Sequence, residues 1–264
     1  MRPTAARFAV TGQRIPHLTE TIILAERVHA ALVNLSDGSP VFTGCDDKKK
    51  PLEGHGHAHI FCESNFGAGK ASGAEISHIT IYASMGFSFE DMQALEDLKE
   101  IWEGKDPAVR LLLQELGRLE DFCGKDPERW PSPMLAKSRT WVSRTPFLST
   151  RHPKVTRAGV PKCDARGLQI GSAEHDLLRL LELAGLPEPA VLEPVADTCL
   201  GDRTVPWSSF VCRRSGNGER RAVVPARGFR IEFGVPVQGP VAVGYASHFG
   251  MGGFVGDGPK CIDL

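Results

Sequence analysis

Apolar positions along this chain switch between a two-residue and a three-to-four-residue period, and the switches mark its elements. Arg7-Phe-Ala-Val10 predicts a short strand. Behind Pro16-His-Leu-Thr19, apolar residues at Ile22, Ile23, Ala25, Ala30, Leu32 and Val33 predict a helix. Thr19 is its expected N-cap, and Asp37-Gly38 its stop. Ala58-His-Ile-Phe-Cys62 and the alternating Ile76-Ser-His-Ile-Thr-Ile-Tyr82 read as strands around a turn at Gly67–Gly73. Phe89, Met92, Leu95, Leu98 and Ile101 predict a helix from Phe89 to Trp102, and Val109–Leu113 a closing strand. That order, βαββαβ, is the ferredoxin-like arrangement.

A Pro- and Gly-containing stretch at 124–133 reads as a linker. Beyond it the pattern repeats more loosely. Strands are expected at Arg139–Phe147, Val191–Pro194, Ser209–Arg213 and Gly228–Phe233, with an amphipathic helix at Glu174–Ala184 stopped by Gly185 and Pro187. The expected fold is therefore α+β, with two ferredoxin-like (RRM-like) domains at 1–123 and 134–264. The second is irregular and ends in a glycine-rich loop, Gly244-Tyr-Ala-Ser-His-Phe-Gly-Met-Gly-Gly253.

Composition changes this picture little until charge is divided along the chain. Hydrophobic content of 41% and charged content of 24% suit an ordinary globular protein rather than a disordered one. No apolar run approaches the ~18 residues of a membrane span, and Met1–Phe8 lacks an apolar signal region, so no membrane partner is expected. Seven cysteines without CxxC spacing point to reduced thiols and a cytoplasmic setting. Net charge is −1, but residues 137–230 hold 16 Lys+Arg against 9 Asp+Glu, a net of +7. Residues 1–136 hold 14 against 20, a net of −6, and 231–264 hold 1 against 3. A basic middle third in a neutral chain is the pattern of a polyanion-binding face.

Candidate chemistry centres on Gly54-His-Gly-His-Ala-His59. On one strand His55, His57 and His59 would point to the same face. Three readings are open: a metal site, metal-free acid–base catalysis, or a partly buried strand with polar neighbours. Same-face neighbours lie about 7 Å apart, which suits two metal ligands better than three. His78 and Thr80 have the His-x-Thr form of paired-motif phosphoesterases, but the other such motif, His17-Leu-Thr19, sits at a helix start; His78 is better read as supporting the histidine strand. Arg151, His152 and Lys154, between stiffening prolines, suit phosphate contact, as do the arginine pairs Arg213-Arg214 and Arg220-Arg221 on a glycine-turn hairpin. The glycine-rich loop carries His248, and its backbone N–H groups suit a phosphate; His29 reads as an ordinary helical surface residue.

Taken in order, these motifs resemble the CRISPR-associated repeat-RNA endoribonucleases of the RAMP superfamily, in the type I-U (I-G) form. The matching pieces are Leu18-Thr-Glu with Ala25-Glu-Arg27, Gly54–His59, His78–Tyr82 with Gly86-Phe87, and Thr145-Pro-Phe147 with Arg151–Lys154. They continue with Trp207, the basic hairpin, Gly228–Phe233, and Gly239-Pro with Gly244–Gly250. The resemblance implies two ferredoxin-like domains and metal-independent cutting of CRISPR repeat RNA, with no cofactor. The 2′-OH would attack the scissile phosphate to leave a 2′,3′-cyclic phosphate and a 5′-OH. It also implies retention of the crRNA 3′ stem-loop and partnership with other subunits of a type I interference complex (Cascade). The chain opens at what is usually the second part of a fusion, which implies a backbone-capping subunit that is either separate or absent. On this reading His57, flanked by His55 and His59, is the acid–base group. Arg151, His152, Lys154, Arg213, Arg214, Arg220, Arg221 and His248 hold RNA, while Gly250, Gly252 and Gly253 let its backbone approach. A non-cleaving RNA-binding subunit and a metal-dependent nuclease remain as alternatives.

Overall fold

Two five-stranded antiparallel sheets organise the residues described by this computed structural model, which are 2–54, 56–64, 73–103, 106–122, 132–214 and 225–256. In chain order the first half contains β1 (Ala5–Thr11), α1 (Thr21–Leu35), α2 (Pro40–Thr43), β2 (His59–Ser64), β3 (Ile76–Tyr82), α3 (Phe89–Asp97), β4 (Glu100–Glu103) and β5 (Asp106–Gly117). The second half contains β6 (Lys137–Ser143), α4 (Ala173–Leu183), β7 (Pro189–Val195), β8 (Asp197–Leu200), β9 (Arg203–Pro206), β10 (Gly228–Gln238), β11 (Val241–Ala242) and β12 (Gly253–Gly256).

The first sheet runs β2-β3-β1-β5-β4. Set β4 aside and its strand order and two crossovers, α1 and α3, are those of the βαββαβ unit. The second sheet runs β11-β12-β6-β10-β7, so β12-β6-β10-β7 repeats the order β5-β1-β3-β2. Helix α4 makes its first crossover. Where a second crossover helix would lie, the chain has β11 and a single 3-10 turn, Ser247–Phe249. The α+β class expected from the sequence is what the structure has.

Strand alternation gives the first sheet two unlike faces. Ala6, Phe8, Val10, Ile60, Cys62, Ile79 and Ile81 bury in one cluster with Ile22, Ala25, Val28 and Leu32 of α1 and Leu95 of α3. Each such aliphatic or aromatic side chain contributes about 1.5–3 kcal/mol on burial. The opposite face turns to the second half: Phe61 packs with Met134 and Val255, and Ala5 with Phe122 and Leu135. Among these apolar residues lies a buried ionic knot. Arg7 Nη1 is 3.0 Å from Glu63 Oε1, with both side chains under one-tenth exposed. Thr80 donates a hydroxyl bond to Glu63, and Ser132 Oγ lies 3.0 Å from each carboxylate oxygen. Next to Glu63, Ser64 accepts from Arg144, which also donates to Cys199 O at 2.8 Å. Burial pulls the Arg144 guanidinium down to about 10, which leaves it a cation at neutral pH.

A second cluster of Trp141, Phe147, Leu177, Leu181, Phe229, Ile231, Phe233 and Phe254 lies under α4. Trp207, Phe210, Phe249 and Met251 of the second half bury in the first cluster instead. The expected linker at 124–133 and the turn at 67–73 fall mostly outside the described residues.

Three expectations are corrected. The helix expected over Phe89–Trp102 ends at Asp97, because Ile101 reaches the core from an edge strand paired to Val109. Leu95, Leu98 and Ile101 keep three-residue spacing across that change, so periodicity alone did not mark it. Ser209–Arg213 is not a strand; the hairpin β8–β9 precedes it, and Val211 N bonds Thr19 O at 2.8 Å. Finally, α1 starts at Thr21 rather than after Thr19, because residues 18–20 form a 3-10 turn closed by Glu20 Oε2 accepting from His17 N at 3.1 Å.

Glu63→Gln removes the carboxylate 3.0 Å from Arg7 while leaving the buried cation in place. It should lower stability by about 3–5 kcal/mol in urea unfolding. An effect below about 1 kcal/mol would mean that the knot is hydrated and carries little energy.

Candidate functional site

Strand β2 ends the first sheet, so among the described residues one of its edges has no partner strand. The 3-10 turn at 247–249 lies along that edge and brings His248 with it. His248 stacks between two of the histidines singled out in the sequence. Its ring lies 3.7 Å from that of His57, at 10° between planes, and 3.8 Å from that of His59, at 30°. Phe61 continues the column 5.7 Å beyond His59. On the other side of His57, a Cβ on Gly44 would stand 2.9 Å from the imidazole, so the glycine that ends α2 provides the space for that ring.

Backbone carbonyls set the roll of two rings. His248 Nδ1 is 3.0 Å from Ala58 O, and His59 Nδ1 is 3.3 Å from Ser247 O. A carbonyl only accepts, so each Nδ1 carries the proton, and in the neutral ring Nε2 keeps the lone pair. That is the nitrogen a proton-transfer reaction needs. Parallel rings in face contact keep their nitrogens in separate planes, whereas a tetrahedral metal site needs lone pairs that converge. Among the described residues no cluster of three or more His, Cys, Asp or Glu has metal-binding geometry.

On the side facing α1, the turn is held by its aromatic residue. Phe249 meets His29 edge-on at 5.1 Å and 63°. The Arg214 guanidinium carbon lies 3.8 Å over the Phe249 ring, and Arg214 Nε donates to Glu26 Oε1 at 2.6 Å. Burial, reinforced by Arg214, lowers the His29 pKa below 6.5, against smaller opposing effects from the Phe42 backbone and Glu26. Sequence reasoning treated His29 as an ordinary surface residue. Its i,i+3 spacing from Glu26 on a predicted helix was the one available signal, and the aromatic partner comes from 220 residues away.

The remaining candidates divide by position. Arg151, His152 and Lys154 are exposed on a segment that folds back on itself. Lys154 N bonds Ile170 O at 2.8 Å, and tight bridges form at Val155/Pro161 and Cys163/Gln169. Arg157 and Lys162, not singled out in the sequence, are exposed on the same arm; Arg166 is paired to Glu188 at 2.9 Å. The root of the arm is fixed. Thr150 N donates to the buried Asp176 at 2.6 Å. Burial pushes the Asp176 carboxyl up, but bonds from Arg179 and Thr150 outweigh it and hold the group below its usual range. Leu148 O accepts from Tyr245 N in the glycine-rich loop at 2.9 Å, so Arg151 begins within about 11 Å of that contact. Arg213 is exposed. His55, Arg220 and Arg221 lie outside the described residues.

Gly250, Gly252 and Gly253 are corrected: all three are buried, and they face their own chain. A Cβ on Gly250 would stand 2.8 Å from Ile60 O, and one on Gly252 2.0 Å from Val243 O, with φ at +76° and +59°. One on Gly253 would meet Met134 and Thr145. Their missing side chains let the turn lie flush on β2 and fold back beside β11. His78 is also placed differently from expectation: it bonds Ser77 Oγ at 2.9 Å and pairs across from Glu63 rather than supporting the histidines.

The pH dependence of stability follows from His29 and His78, both lowered from 6.5, the latter by burial and then Arg7, with Glu63 opposing. Below 6.5 the unfolded chain binds protons that the folded chain resists, so stability is full above 6.5 and falls as pH drops toward the folded values. Urea midpoints between pH 5 and 8 should decline on the acid side, and His29→Gln should flatten part of that slope. An unchanged slope would place the His29 ring in free solvent.

No family model matches the chain, and no curated protein matches it. Among solved structures, it is similar to a RAMP protein described as binding different RNA substrates, at 12% identity and a TM-score of 0.43, over 97% of this chain and 99% of that one. It is similar to a CRISPR-associated Cas6 protein at 9% identity and 0.43, over 97% and 98%. It is also similar to a Cas6-related protein from Pyrococcus furiosus at 12% identity and 0.41, over 96% and 97%.

Proposed function

We propose that this protein is a metal-independent endoribonuclease that binds CRISPR repeat RNA and cuts it to mature crRNA. One observation carries the reading: His57, His248 and His59 are stacked, and the loop that bears His248 bonds through Tyr245 N to Leu148 O, near the root of an exposed basic arm. The resemblance of the sequence motifs supports it. Single-stranded or looped RNA would lie along Arg151, Lys154, Arg157 and Lys162, with Arg213 contacting the backbone. His57, half-buried at the Gly44 end of the column, takes the proton of the 2′-OH. The 2′ oxygen then bonds to phosphorus while the bond to the 5′ oxygen breaks. His248 or His55 returns a proton to that oxygen, giving a 2′,3′-cyclic phosphate and a 5′-OH end. His59, buried behind His248, keeps its ring in place, and nearby cations balance the phosphorane charge.

The same proposal includes two ferredoxin-like halves, the type I-U (I-G) form, and action in the cytoplasm. It also has the protein retain the 3′ stem-loop within the interference complex. One observation favours a second reading, a non-cleaving RNA-binding subunit. The His59 and His248 rings are engaged by backbone carbonyls, as they would be in a purely structural latch.

Repeat RNA incubated in EDTA should be cut once, leaving a 5′-OH, and a 2′-deoxy substitution before the cut should block it. His57→Ala and His248→Ala should each slow cutting by about 10²-fold or more with binding nearly unchanged. A tight complex without cutting would select the second reading, and rescue by added divalent metal would select a metal nuclease. Replacing Arg151, Lys154, Arg157 or Lys162 singly by Gln should reduce the slope of log K against log salt by about 0.7 each for single-stranded RNA. A flat salt dependence in the unaltered protein would remove the basic arm from the interface.

A further inference from the structure

Arg214 adjoins Arg213 in the basic stretch that the sequence assigns to RNA contact, yet the two arginines are placed differently. Arg213 is exposed, while Arg214 is engaged within the protein through both its face and an N–H. Its plane lies 3.8 Å over Phe249, and its Nε lies 2.6 Å from Glu26, a carboxylate only 9% exposed. Phe249 in turn touches His29, which follows Glu26 by three residues on α1. Glu26, Arg214, Phe249 and His29 therefore form a clamp that ties the turn 247–249 to the helix. Phe249 is the residue after His248.

A three-residue 3-10 turn has little strength of its own. The one here is flanked by left-handed backbone at Ala246 (φ +60°) and Gly250 (φ +76°). What sets its depth is contact on both sides. On the β2 side, His248 reaches Ala58 O and Gly250 lies against Ile60. On the α1 side there is the Phe249 clamp. Moving Phe249 moves the His248 ring, because one peptide joins them.

We infer that Arg214 is a positioning residue that seats His248 between His57 and His59, rather than a phosphate contact. This deepens the endoribonuclease reading and rests on it for the catalytic consequence. The seating itself is a property of the RNA-free protein. A planar guanidinium can cover an aromatic face and donate sideways at once; a lysine ammonium keeps the charge but not the plane. Val211, three residues earlier, donates to Thr19 O in the 3-10 turn that leads into α1, so the backbone that carries Arg214 is fixed beside the start of the same helix.

The test compares Arg214→Lys, Arg214→Gln and Phe249→Leu with the unaltered protein, by three measurements. Repeat-RNA cleavage gives kcat and KM, the salt slope of binding counts phosphate contacts, and amide hydrogen exchange at 247–250 reads the seat without RNA. Positioning predicts that all three variants lower kcat about tenfold or more with little change in KM. It also predicts faster exchange at 247–250 and an unchanged salt slope, with no rescue by Lys. A phosphate contact predicts the reverse: a slope reduced by about 0.7 in Arg214→Gln, restored in Arg214→Lys, with exchange unaltered, and that result would overturn the inference. If the unaltered protein binds RNA but does not cut it, the endoribonuclease reading fails alone. Exchange and salt slope then still decide whether Arg214 seats the turn. Phe249→Leu removes no charge, so a matching exchange effect there supports the clamp even if Arg214→Gln proves unstable.

Discussion

A strand at the end of a sheet leaves a row of peptide groups without partners, and the rest of this molecule is arranged around how that constraint is met at β2. Among the described residues the strand is not extended by another strand. A glycine-rich turn from the second sheet is laid along it, close enough that Gly250 has no room for a Cβ beside Ile60. The closure gathers the histidines. Ala58 offers a carbonyl to His248, Ser247 offers one to His59, and the rings interleave. Protection of an edge and assembly of a chemically useful column are thus a single event.

The second requirement is that the two sheets stay together with charge between them. The face of the first sheet that would be open in an isolated βαββαβ unit carries Arg7, Glu63 and Thr80, and the second half supplies Ser132 and Arg144. A single carboxylate lies close to two guanidinium groups, all out of water. Such a knot contributes little net stability when complete and is strongly disruptive when incomplete, which favours one docking of the sheets over others. Apolar contact of Phe61 with Met134 and Val255 fills the space beside it.

Much of the fold was legible from local pattern. Alternation marked β1 and β3, the helical stripe of Ile22, Ala25 and Leu32 marked α1, and the amphipathic run ended by Gly185 and Pro187 marked α4. What failed was what depends on distant partners. Ile101 kept a helical spacing from Leu98, the C-cap of α3, while belonging to an edge hairpin. The site shows the same division. His57 and His59 announced themselves by proximity, and His248 by its loop, but nothing local said that the third ring would lie between the first two. The glycines were noticed for the right reason, close backbone approach. The approaching partner is the chain itself at Ile60 and Val243, a fact fixed only by tertiary packing. Arg214 was grouped with Arg213 by sequence adjacency, and its separation from it depends on Phe249, 35 positions later.

His57 and His59 travel with the first sheet, whereas His248 is borne on the connection between β11 and β12 of the second. Ring spacings of 3.7 and 3.8 Å therefore register how closely that connection is seated on the first sheet. Dispersion contact is steep at this range: opening by about 0.5–1 Å forfeits roughly a quarter to a half of the attraction. A slight lifting of the turn 247–249 from β2 would thus be read out as an unstacked imidazole. A substitution that loosens the turn can then separate the rings without touching a histidine.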